Sequence, residues 1–90
     1  MAVGTYRSKD GQHYFQFEFL ADGERILIFC RRHPVLGNVD PDPHKTHLFP
    51  SGRVCIAEGK DPTNVSRAQE LATQWAEYFL EYRRTGIAQQ

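Results

Sequence analysis

The chain is 90 residues long, 40% hydrophobic and 24% charged, which fits one domain spanning 1–90 and leaves little room for a second. Eleven basic residues balance eleven acidic ones, so the basic excess of a nucleic-acid binder is missing and no nucleic-acid partner is expected. No apolar run is long enough to span a bilayer, and Met1 to Thr5 carries no basic region before an apolar stretch. Two cysteines are too few for a disulfide framework, so the expected setting is cytoplasmic, without membrane contact and with both thiols reduced.

Thr5 to Ser8 and His13 to Leu20 flank Lys9-Asp10-Gly11-Gln12, and Asp-Gly between two such segments signals a hairpin turn. Phe15, Phe17 and Phe19 alternate with Gln16 and Glu18, the period of two that marks a half-buried strand. Asp22-Gly23 marks a second turn and leads into Arg25 to Arg31. There Ile26 to Cys30 are continuously apolar, as in a strand covered on both faces. From 33 to 43 the chain reads HPVLGNVDPDP; its three prolines predict a rigid, extended connection. Pro50-Ser51-Gly52 predicts a turn, with a short extended piece at His47-Leu48-Phe49 before it and a fourth strand over Arg53 to Ala57 after it.

The last third predicts a helix. Ser66 followed by Gln69 fits a capping box, and Ala68, Leu71, Ala72, Trp75, Ala76, Phe79 and Tyr82 form one apolar stripe. Arg83 and Arg84 suit the negative end of the helix dipole, Gly86 suits the stop, and Ile87 to Gln90 is expected to fray. The fold class expected is α+β: a four-stranded antiparallel meander packed against one C-terminal helix. So small a sheet leaves an edge or face that a second copy could cover, making a homodimer.

Three sets of residues could carry chemistry. Cys30-x-x-His33 and His44-x-x-His47, with Cys55 as a fifth donor, are zinc-compatible in type. Residues three apart on a strand point to opposite faces, so a packed Cys30 beside loop histidines is the simpler reading and no metal or other cofactor is assigned. Cys55 lies just after the histidine- and proline-rich loop and before small residues, which suits a thiol that accepts an acyl group with a nearby imidazole taking its proton. On residue type alone, the leading reading of Cys55 is a small apolar side chain packed on a short strand. Among the helix aromatics, Trp75 and Phe79 belong to the stripe, whereas Tyr78 lies off its centre and suits an exposed contact.

The stretch PHKTHLFPSGRVCI resembles the active-site approach of ubiquitin-conjugating (UBC-like) enzymes: a proline-rich segment, a histidine, then a turn ending in Gly-x-Val-Cys. ATQWAEYFLEYRRTG resembles the helix that follows this motif in small bacterial UBC-like proteins. The resemblance covers 33 to 86. It implies a minimal UBC-like fold in which Cys55 carries a ubiquitin-like protein as a thioester and transfers it to an amine, assisted by His47 or His44. By the same resemblance Gly52, Arg53 and Tyr78 would contact the substrate, and the partners would be a ubiquitin-like protein and its activating enzyme.

The chain departs from that pattern in three places. Its His-Pro-Asn triplet is missing, and with it the asparagine that helps stabilise the oxyanion; the segment after the cysteine is reduced to Lys60-Asp61-Pro62-Thr63; and strand-like sequence stands where the family's N-terminal helix is expected. The same resemblance therefore also accommodates an inactive UBC-like module that binds a ubiquitin-like or other protein, and a small zinc-stabilised domain is the third reading.

Overall fold

The computed structural model describes residues 2–88. Strands β1 (Ala2–Arg7), β2 (Tyr14–Asp22) and β3 (Arg25–Arg32) form an antiparallel sheet in the order β1-β2-β3. Helix α1 (Pro43–Thr46) is a single turn, and α2 (Val65–Thr85) is the C-terminal helix. Of the tail expected to fray, 89 and 90 lie outside the described residues.

The alternation in β2 works as its period requires. Phe15, Phe17 and Phe19 are buried on the face towards α2, while Tyr14 and Gln16 on the other face are exposed. Register carries the pattern across the sheet, with Phe17 opposite Cys30 and Phe19 opposite Ile28. The helix supplies Ala68, Ala72, Trp75, Ala76 and Phe79 to the same core. Phe15 meets Trp75 and Phe79 edge-on at 6.0 and 5.9 Å, the arrangement that ring quadrupoles favour. Alanines at 68, 72 and 76 let the helix backbone approach the sheet closely enough for these rings to interdigitate.

The apolar run of β3 is not covered on both faces. Leu27 and Phe29 are only half-buried, and the outer side of the Phe29 ring is met by the Arg31 guanidinium 4.5 Å from its centroid.

The expected fourth strand does not form, so the four-stranded meander is corrected to three strands and a small α+β arrangement. Gly52 to Val54 does run along β3: Cys30 N–H donates to Gly52 O at 2.7 Å and Val54 N–H to Ile28 O at 2.8 Å. The pairing is only an isolated bridge at Phe29 and Arg53. The next amide, Cys55 N–H, faces the other side of the segment, as alternate amides of extended chain do, and donates to His47 O at 2.8 Å, where Val54 also bridges Leu48. Along β3 the ladder goes no further. Ile26 N–H is instead satisfied by Pro62 O at 2.8 Å.

Two further expectations change at helix ends. Helix α2 starts at Val65 because Asn64, not Ser66, is its N-cap: Asn64 Oδ1 accepts from Arg67 N–H at 2.8 Å. Its end is the one expected, with Gly86 left-handed at φ 71° and its N–H on Tyr82 O. The proline-rich connection is not wholly extended either. Asp42 caps α1 by accepting from His44 N–H at 2.9 Å, and Pro43 occupies the first turn, where no amide hydrogen is needed.

Candidate functional site around Cys55

Three donors on one side of α2 hold the chain that leads into the site. Trp75 Nε1–H donates to Thr46 O at 3.0 Å, the Tyr78 hydroxyl to Lys45 O, and the Tyr82 hydroxyl to Asp40 O at 2.6 Å. Positions 75, 78 and 82 share a helix face, so one rigid element fixes the whole of 40–46. His47 then ends α1 in the left-handed region at φ 56°, an uncommon conformation for a residue with a β-carbon. Its carbonyl receives the Cys55 amide, and its ring lies 5.2 Å from the Tyr78 ring, centroid to centroid.

Between His47 and Cys55 the chain reverses at Gly52. Its φ is +93°, and a β-carbon there would lie 3.2 Å from Cys30 O. Glycine is therefore required twice over, by conformation and by the close approach to β3. This reversal sets Cys55 beside His47 rather than in a sheet.

His47, Cys55, Leu71, Gln74, Trp75 and Tyr78 line an open groove of about 400 Å³. Cys55 is half-buried there, whereas Cys30 is 5% exposed. Burial pushes the Cys30 thiol up to about 12, and its S–H donates to Arg32 O at 3.2 Å. Cys30 stays a neutral, packed thiol near neutral pH. Among the described residues no Asp, Glu, Lys or Arg lines the groove at Cys55.

The residues singled out in the sequence come together only in part. Cys55, His47 and Tyr78 share the groove. His44 does not line it; its side chain is 95% exposed, with Nδ1 3.2 Å from Asp42 Oδ1. Gly52 borders the neighbouring depression with Cys30, and Arg53 lies 3.9 Å from Asp61. Neither asparagine reaches the groove: Asn64 caps α2, and Asn38 borders a different depression, beside Lys9 and Arg83. His33 packs against Phe79 instead, ring centroids 4.9 Å apart and planes tilted by 54°. Among the described residues no three His, Cys, Asp or Glu side chains gather closely enough to hold a metal ion.

Leu71 and Gln74 were not among the candidates, and Trp75 was assigned to the core alone. Trp75 is indeed buried, but one edge of it also borders the groove. Their signal was the flank of the stripe, where 71, 74 and 78 follow one another at three- and four-residue spacing beside the packed face.

Among the described residues, no helix is long and apolar enough to cross a membrane. No protein-family model, curated protein or solved structure matches the chain.

Proposed function

We propose that the protein is a carrier resembling ubiquitin-conjugating enzymes in its chemistry, with Cys55 as the acceptor. The Cys55 thiolate would attack the carbonyl carbon of an activated thioester. The new Sγ–C bond forms, the C–S bond to the donor thiol breaks, and the departing thiolate takes up the proton that Cys55 gave up, so no oxidant or reductant is needed. His47, which lines the same groove, would hold that proton in passing. By resemblance the donor would be a ubiquitin-like protein delivered by its activating enzyme, and the final acceptor an amine. The observation that carries this reading is the contrast between the two thiols: Cys55 opens into a groove beside an imidazole, and Cys30 is buried and protonated.

The test is incubation with a short peptide alkyl thioester ending in Gly-Gly, followed by intact mass measurement. The reading predicts a covalent adduct that is removed by excess thiol, persists in Cys30→Ala and is absent in Cys55→Ala. A native protein that labels with maleimide at Cys55 yet forms no such adduct would overturn it.

One observation favours a second reading, in which the same groove binds a protein partner without catalysis. The Cys55 amide is already committed to His47 O, and neither asparagine reaches the groove to stabilise an oxyanion. In that case Cys55→Ser retains binding of a ubiquitin-like protein, followed by chemical-shift changes at Leu71 and Gln74, and no adduct forms in the wild-type protein.

A further inference from the structure

The face of the sheet turned away from α2 carries basic groups that the rest of the molecule leaves without counter-charge. Arg25 and Arg31 on β3 each hold a carboxylate, Asp22 at 2.8 Å and Glu18 at 2.6 Å. Arg32, the next residue, holds none: among the described residues no Asp or Glu pairs with it or with Arg7. Register brings these two arginines to one end of the sheet. Thr5, Gln16 and Arg32 form a row across the three strands, and Arg7 stands opposite Tyr14 in the next row. The Arg7 guanidinium lies 5.5 Å from the centroid of the exposed Tyr14 ring, and its Nε–H donates to Gly11 O at 3.0 Å. Thr5, Tyr14, Gln16, Arg32 and His33 line an open groove of about 500 Å³ that no Asp or Glu among the described residues borders.

We infer that this groove docks an extended, acidic segment of a partner protein, with carboxylates on alternate residues, one for Arg32 and one for Arg7. The planar fork of an arginine suits a carboxylate, and here neither fork has one of its own. Arg7 and Arg32 sit on the two outer strands, two inter-strand spacings or about 10 Å apart at the least, so one carboxylate cannot serve both. Alternate side chains of an extended segment stand about 7 Å apart, a gap that two arginine side chains span. Between them the Gln16 amide and the Thr5 hydroxyl face the main chain of the segment. A nucleic-acid strand fits less well. Glu18 in the following row of the same face, and Asp10 in the β1–β2 turn, would stand against a continued run of phosphates. The groove shares no lining residue with the one at Cys55, and the inference does not rest on the thioester reading.

Two end-blocked peptides, Gly-Glu-Gly-Glu-Gly and Gly-Gln-Gly-Gln-Gly, test it through amide chemical shifts of the native protein. The glutamate peptide is expected to shift Thr5, Gln16 and Arg32, and the glutamine peptide to bind about fivefold or more weakly. Arg32→Gln, at an exposed strand end, is expected to weaken the glutamate peptide about threefold or more. Arg67→Gln on α2, where Glu70 is already paired with the arginine, is expected to leave it unchanged. Equal binding of the two peptides, equal losses in the two variants, or no shifts with the glutamate peptide at about 1 mM would overturn the inference. A single-stranded oligothymidylate that binds the same residues more tightly would put nucleic acid in place of the acidic segment and overturn it as well.

Discussion

The Trp75 indole N–H donates to the Thr46 carbonyl oxygen at 3.0 Å across 29 residues of chain, and both groups are buried. One side chain therefore belongs to the core through its ring and to the site through its nitrogen. Trp75→Phe keeps most of the ring packing but leaves the Thr46 carbonyl without that donor. The expected loss is about 1–3 kcal/mol in urea denaturation. A loss within about 0.5 kcal/mol, the range of ordinary surface changes, would mean that this bond does not fasten α1 to α2.

The reversal at Gly52 is a place that only glycine fills without strain. Gly52→Ala places a β-carbon at φ +93° and 3.2 Å from Cys30 O. The expected destabilisation is about 1–3 kcal/mol. The bridge between Phe29 and Arg53 should loosen with it, read as faster amide exchange at Cys30 and Val54, whose bonds run to Gly52 and Ile28. Unchanged stability and exchange would contradict the tight approach.

The helix start separates two residues that look alike on paper. Asn64→Ala removes the cap on Arg67 N–H and should cost about 1 kcal/mol. Ser66→Ala lies inside the first turn and should stay within about 0.5 kcal/mol. Thermal denaturation of the pair decides it, and the opposite ordering would return the cap to Ser66.

Much of the architecture was open to inspection in the residue order, and the exceptions share a cause. Phe15, Phe17 and Phe19 announced β2, and the spacing of Ala68 to Tyr82 announced α2, because both patterns are local and repeat. The start of α2 was ambiguous because Asn64 and Ser66 are both good caps, and the choice depends on where the extended chain after Pro62 ends. Helix α1 was hidden by prolines that usually mean extended chain, although Asp42-Pro43 is a sound cap and first turn. The fourth strand stayed short for a nonlocal reason: Ile26 N–H, which longer pairing along β3 would use, is taken by Pro62 O. Within the site, Cys55, His47 and Tyr78 were legible as residue types. Their meeting depends on the bonds from Trp75, Tyr78 and Tyr82 to 40–46, which no spacing encodes.

Alkaline pH should weaken the fold in a defined window. Burial raises the Cys30 thiol from its ordinary 9.0 to about 12. Burial, and then the bond to Glu77 at 2.5 Å, raises the Tyr6 phenol from 10.0 to about 12. In the unfolded chain both groups ionise at their ordinary values, so the native state there binds more protons than the unfolded one. Their contribution is complete below pH 9.0 and is lost as pH rises from there towards about 12. Urea midpoints should fall across this window, and Cys30→Ala and Tyr6→Phe should each flatten the fall. A level midpoint through the window would contradict the burial of these groups.

The contrast between the two thiols is measured most directly by brief maleimide labelling of the native protein, with the modified peptides identified by mass. The expected result is modification of Cys55 alone, with Cys30 reacting only after denaturant is added. Protection of both cysteines in the native state, or equal labelling of the two, would contradict Cys55 as an open acceptor beside His47.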